Sequence, residues 1–392
     1  MNIVKRLFFI AVMFSFLSCD FSFKDKEGEE TGGSTVADGD KWDTARPLQE
    51  IYKNYFLMGN IVSPGDLNNV RFDILQRHYN TLTAENHMKP DNIAPSSRPS
   101  GNTWAYRFTN ADMIVNAAVG AGMKVVGHTL IWHSQSPTWL TRADDRTTIL
   151  DRDTALYNLK KYVTEVAGHF AGKILCWDVV NEAMRDGLDS GVSGGDWRNC
   201  LRLDSPWYRS VGAEFIEEAF LAAREADPEA MLFYNDYNLN SPYKSRAVYN
   251  MVKDINERHP NAGGRKLIDG IGMQSHHHLT TSPQTVDDSI ELFASLGVDI
   301  AITELDIIAA GRLLNQSPPW NEDAAQRQAE QYAAMFRIFK KHSSKISRVT
   351  FWGIDDGTHW RTLDGSGAHA AMLDKDYGLK PAFYAVTNPD SY

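Results

Sequence analysis

From Asp43 to Tyr392 the chain alternates short apolar runs with longer amphipathic ones. The short runs are rich in β-branched residues and read as strands buried on both faces. They fall at Tyr55–Asn60, Asn80–Asn86, Lys124–Leu130, Ile174–Val180, Met231–Asn235, Gly270–Gln274, Asp299–Thr303 and Val349–Trp352. Between them, apolar positions recur at helical period over Leu67–Tyr79, Asn110–Gly120, Asp153–Phe170, Glu214–Glu225, Lys244–Arg258, Pro283–Leu296 and Glu322–His342. A short last helix opens at Pro381. Gly120, Gly122 and Gly297 stand where helix C-termini should fall. Eight strand–helix alternations predict an α/β fold of the (β/α)8 TIM-barrel type, built as a single domain over residues 43–392. An open doubly wound sheet also alternates, but no glycine fingerprint follows the first strand. The surplus over the ~250 residues of an ordinary barrel lies in the connections Gly187–Ser205 and Ile308–Asn321, which would build cleft walls.

Polar chemistry collects where the strands end. Two strands end in a glutamate: Asp178-Val179-Val180-Asn181-Glu182 and Ile302-Thr303-Glu304-Leu305-Asp306. Carboxyl ends of barrel strands are where catalytic residues stand, and paired carboxylates flanking a bond are the machinery of glycoside hydrolysis. Other strand ends carry Glu85, Asn86 and Lys89; His128 through Gln135; Asn235 and Tyr237; Gln274 with His276; and Trp352 with Trp360. Amides, Lys and His suit sugar hydroxyls, and Trp rings suit the apolar face of a pyranose. The run His276-His277-His278 does not predict a metal site. On an extended segment neighbouring side chains face opposite ways, so three in a row cannot share one ion. No cofactor is expected.

Composition narrows the partners. A net charge of -10 argues against nucleic acid, which favours a basic patch. Residues 1–18 read as an export signal, with Lys5-Arg6 before an apolar core too short to span a bilayer comfortably. Leu17-Ser18-Cys19 resembles the bacterial lipoprotein cleavage box. That resemblance implies that Cys19 is lipidated and that the exported protein is held on a membrane, at the cell surface or the periplasmic face of the outer membrane. Residues 19–42 then form a polar, flexible tether. Cys176 and Cys200 remain; a disulfide between them is open, with a buried free thiol favoured for Cys176.

The strand-end motifs together resemble glycoside hydrolase family 10, the endo-β-1,4-xylanases. They are Ala84-Glu85-Asn86-His87-Met88-Lys89, Gly127 through Gln135, Trp177 through Ala183, Gln274-Ser275-His276, Ile302 through Asp306 and Thr350-Phe351-Trp352-Gly353. The resemblance covers nearly all of residues 50–388 and implies roles one by one. Glu182 would be the general acid/base and Glu304 the nucleophile of a retaining reaction. His276 and Asp306 would orient Glu304. Asn181, Gln274 and His128 would meet the sugar at the cleavage subsite. Glu85, Asn86, Lys89 and Gln135, with Trp352 and Trp360, would hold the glycone half, and Asn235 and Tyr237 would face the aglycone half. The implied partners are xylan and xylo-oligosaccharides, with the chain acting as a monomer. Pro90 departs from the family pattern, which usually has Trp after the lysine. A barrel glycosidase acting on cellulose or mannan is the alternative. A non-catalytic glycan-binding protein would be expected to have lost one carboxylate, and both are present.

Overall fold

The computed structural model describes residues 41–309, 320–363 and 368–392. Nine parallel segments form its sheet: β1 Leu57–Val62, β2 Thr81–Ala84, β3 Lys124–Trp132, β4 Ile174–Asn181, β5 Met231–Asp236, β6 Gly270–Met273, β7 His276–His278, β8 Asp299–Ile308 and β9 Ile346–Phe351. Neighbours pair in chain order from β1 to β6, β6 pairs with β8, and β9 returns to β1. The sheet is therefore a closed barrel. β7 pairs only with β8 and prolongs the line of β6. The two are one barrel strand broken at Gln274-Ser275, where Ser275 takes a left-handed φ of 62°. Counted so, the barrel has the eight strands that the alternation predicts.

Both strand faces are apolar because each meets a different core. Val126, Cys176, Phe233 and Ala301 form a small cluster of their own on one face. The other face packs with the helices in the main core, where the indole of Trp177 meets Phe170 at 6.2 Å between centroids. Gly127 sits under that indole: a Cβ there would lie 2.1 Å from a ring carbon, so no larger residue fits. The Arg348 guanidinium is buried on the Cys176 face, donating to Cys176 Sγ at 3.0 Å. Cys176 and Cys200 are both free and buried. Burial pushes the Cys176 thiol up to about 12.

Most predicted boundaries shift by a few residues. The largest change is β8, which runs to Ile308 and so carries Glu304 and Asp306 within the strand rather than after it. Gly122 and Gly297 take positive φ at helix ends, whereas Gly120 is still helical. The connection after β4 folds back on its own start through short helical turns at Ser190–Ser193 and Trp197–Cys200 and a bridge between Met184 and Leu201. The signal, Cys19, the tether up to residue 40, and residues 310–319 of the long connection after β8 lie outside the described residues.

Candidate active site

A cleft of about 790 Å³ opens where the strands end. Of the residues singled out from sequence, Glu85, Asn86, Lys89, His128, Gln135, Asn181, Glu182, Tyr237, Gln274, His276, Glu304, Trp352 and Trp360 all line it. Asn235 and Asp306 do not; each is buried and reaches the cleft through a neighbour.

Glu304 lies deep, 5% exposed, at a register irregularity of the β8–β9 ladder between Ile302 and Leu305. Such bulges re-aim a side chain. Asn235 Nδ2 donates to Glu304 Oε1 at 2.8 Å, while Thr303 Oγ1 donates to Asn235 Oδ1 at 2.6 Å. Two consecutive β8 residues thus hold both ends of one amide. This corrects the placement of Asn235 on the aglycone wall. It shares a strand face with Phe233, so the alternation of β5 turns it inward, beneath the cleft floor.

On the other oxygen, His276 Nε2 stands 3.2 Å from Glu304 Oε2, and His276 Nδ1 is 3.0 Å from Asp306 Oδ2. Trp360 Nε1 donates to the same Asp306 oxygen at 3.0 Å. Burial works against charge on all three groups, but their mutual attraction wins. The His276 imidazolium is raised to about 10 by Asp306 and Glu304. Burial would push the Glu304 carboxyl up; the His276 hydrogen bond and the nearby His128, His276 and Lys89 hold it below the usual glutamate value. Asp306 is likewise held low. His277, on the opposite face of β7, is buried and driven down to about 3, whereas His276 and His278 face the cleft. The alternation separates the three histidines as their spacing requires.

Glu182 stands on the opposite wall. Its Oε1 accepts from Gln274 Nε2 at 3.0 Å and its Oε2 from Trp132 Nε1 at 2.9 Å. Asn181 Oδ1 accepts from both Asn235 Nδ2 (2.9 Å) and Gln274 Nε2 (3.2 Å), so its Nδ2 is turned away as a donor. Three amides therefore link Glu304 to Glu182. Further along the wall Lys89 donates to Asn86 Oδ1 at 3.0 Å, and burial lowers its ammonium despite Glu304, Glu85 and Glu182. Glu85 is raised by burial. Pro90 is buried as the first residue of the short helix Pro90–Ile93. His128 is held from behind by Asp178 at 2.9 Å and meets Trp352 edge-on.

Sequence reasoning assigned no role to Trp132, His133, Arg202, Asn238, His278 or Arg361, all of which line the cleft. Trp132 and His133 stand inside a strand-end motif and were within reach of that signal. Arg202 carried none, because it arrives from the connection that folds back on β4. Among the described residues Asp287, Glu291 and His342 form a cluster of metal-ligating type on outer helices, but Lys341 Nζ already bonds Asp287 (2.8 Å) and Glu291 (3.1 Å).

Two glutamates on facing walls of a cleft lined with indoles, amides and histidines, at the mouth of a (β/α)8 barrel, define a glycoside hydrolase site. Residues 47–389 match glycosyl hydrolase family 10, and the chain belongs to that family. It is 39% identical over 348 residues to the beta-1,4-xylanase of Dictyoglomus thermophilum, covering 86% of this chain and 90% of that protein. It is 37% identical to endo-1,4-beta-xylanase A of Thermotoga maritima over 88% of its own length but only 31% of that relative's, so it spans under a third of that protein. Among solved structures, a bacterial Ig-like domain containing family 10 xylanase from termite gut is similar at TM-score 0.80 and 36% identity, covering 90% of this chain and 79% of that one.

Proposed function

We propose that the protein is a retaining endo-β-1,4-xylanase that cuts internal bonds of xylan by double displacement. The observation that carries this reading is the unequal setting of the two glutamates. Glu304 is buried and kept ionised by His276, whereas Glu182 stands at the cleft wall between Trp132 and Gln274. That asymmetry suits a nucleophile and a proton donor. Glu304 attacks the anomeric carbon; the glycosidic bond breaks, and its electron pair goes to the leaving oxygen, which takes the Glu182 proton. Glu182 then removes a proton from water, which attacks the same carbon and frees Glu304. Asn181 Nδ2 and Asn235, fixed in one amide chain, suit a sugar hydroxyl whose hydrogen bonds strengthen in the transition state. The names of the relatives support xylan as substrate. So does the glycone end, where Trp352, Trp360 and Gln135 leave little room for the exocyclic CH2OH of glucose or mannose. Every residue used comes from one barrel, so a monomer suffices.

The test is product analysis on xylan, carboxymethylcellulose and mannan side by side, with proton NMR of fresh products. Internal cleavage of xylan with the β-anomer appearing first is expected. An initial α-anomer, or preference for either other polymer, would overturn the reading. We also propose that Cys19 is lipidated and anchors the exported enzyme. Leu17-Ser18-Cys19 after a short apolar core supports this. Cys19→Ala should move the enzyme from membrane to soluble fractions, and unchanged fractionation would refute it.

A further inference from the structure

Glu182 has a left-handed φ of 57°, a conformation that residues with a Cβ rarely adopt and that surrounding contacts must enforce. Its two flanking peptide groups are tied to different elements. The Glu182 N–H donates to the Asn235 carbonyl at 2.9 Å, within the barrel. The Glu182 carbonyl accepts from Arg202 Nε at 2.9 Å, from the connection that folds back on β4. Arg202 is itself well anchored. Its backbone N–H donates to the Ala183 carbonyl at 2.9 Å, and the Arg185 N–H donates to the Cys200 carbonyl at 2.9 Å. Its Nη2 donates to the Tyr237 hydroxyl, which donates to Asp186. Asp186 in turn accepts from Lys244 at 3.2 Å, and Lys244 is paired with buried Asp236 at 2.8 Å.

We infer that Arg202 is a positioning residue for the acid/base: by gripping the Glu182 carbonyl it holds the 182–183 peptide plane, and with it the direction in which the Glu182 carboxyl points. The inference rests on the proposed role of Glu182. Arg202 contributes no proton; it acts only through Glu182. Its guanidinium is already engaged by a carbonyl, a phenol and the Asp186 carboxylate 3.8 Å away, which argues against a role as a free cation awaiting a charged sugar.

The consequence is a selective defect. A poor leaving group needs the proton, and general acid help supplies roughly 10²–10⁴ in rate. An acidic phenol leaves without it. Arg202→Met should therefore lower kcat/KM on phenyl β-xylobioside and xylan roughly 10- to 100-fold, a part of that range. On 2,4-dinitrophenyl β-xylobioside kcat/KM should change by no more than about 3-fold, since that step needs little acid help. Arg202→Lys, which keeps one donor, should recover part of the loss. In a Glu182→Ala background Arg202→Met should have no further effect on the dinitrophenyl substrate. Equal losses on both aryl substrates, a loss confined to KM for long oligosaccharides, or full additivity with Glu182→Ala would overturn the inference. A parent enzyme inactive on both aryl xylobiosides would instead overturn the functional reading and this inference with it.

Discussion

Asn235 Nδ2 lies 2.8 Å from Glu304 Oε1, and the same nitrogen lies 2.9 Å from Asn181 Oδ1. The neutral amide thus gives the nucleophile a donor without adding charge beneath it. Replacing it by a carboxylate inverts that arrangement. In Asn235→Asp two buried like charges would face each other across a hydrogen-bond distance, and a like charge disfavours ionisation. The Glu304 carboxyl would be driven up, so the ionised nucleophile would disappear at higher pH than in the parent. The acid limb of kcat/KM against pH should move upward, with activity at neutral pH lower by at least about 10-fold, the effect of one unit of such a shift. Asn235→Ala removes the donor without the charge and should move the limb less. An unmoved limb in Asn235→Asp would break the link between this amide and the nucleophile.

His276 gives a stability prediction with a definite sign. Its ordinary value of 6.5 is raised to about 10 in the folded chain because Asp306 and Glu304 outweigh burial. Below pH 6.5 the imidazole is protonated in folded and unfolded chains alike, and the ion pairs contribute in full. Above it the unfolded chain loses the proton first, so the contribution falls as pH rises towards 10. The Tm difference between the parent and His276→Asn should therefore be largest near pH 6 and shrink steadily to pH 10. A difference that stays constant or grows over that window would contradict the assignment. The variant should also show an acid limb displaced upward, because Glu304 has lost the hydrogen bond that lowers it.

A packing prediction tests the barrel itself. Gly127 of β3 faces the flat of the Trp177 indole, with a new Cβ 2.1 Å from a ring carbon. Trp177 is fully buried against Phe170 and donates to Asp227 Oδ2 at 3.3 Å, so it has little room to retreat. Gly127→Ala should cost roughly 1–3 kcal/mol of unfolding free energy, as overpacking does, read from urea titration. Ala at Gly122, which has open space but a φ of 73°, should cost less and for a different reason, backbone strain. If Gly127→Ala is neutral, the indole does not lie where the barrel places it.

The eight strands were legible because parallel barrel strands are apolar on both faces and end abruptly in polar residues; Ile174–Asn181 shows both traits. The break at Ser275 was not, since nothing in Gln274-Ser275-His276 marks a left-handed residue. The carboxylate pair and its histidine were legible because they stand at strand ends within recognisable motifs. Asn235 was misplaced for want of parity: counting from Phe233 along β5 turns it inward, although its chemistry suits the cleft wall. Arg202 was invisible because its position depends on how a connection without periodicity folds back, a long-range fact written in backbone hydrogen bonds to Ala183 and Arg185.

The two glutamates are separable by a nucleophile that needs no base. With Glu182→Ala, an aryl xylobioside bearing an acidic phenol should still load the enzyme, since departure of that phenol needs no proton. Hydrolysis of the glycosyl-enzyme should then stall, because no group activates water. Azide needs no activation, so it should restore turnover, and by attacking the face opened by the departed aglycone it should give the β-glycosyl azide. Glu304→Ala lacks the nucleophile and should be nearly inactive on both xylan and the aryl substrate. Azide occupying the space of the lost carboxylate would attack from the opposite face and give the α-azide. The anomeric configuration therefore reports which side of the sugar each glutamate occupies, independently of rate. The walls of the cleft already differ in this sense: Glu304 is held by His276 and Asn235 from below, Glu182 by Trp132 and Gln274 from the side. An α-azide from Glu182→Ala with a β-azide from Glu304→Ala would exchange the two roles.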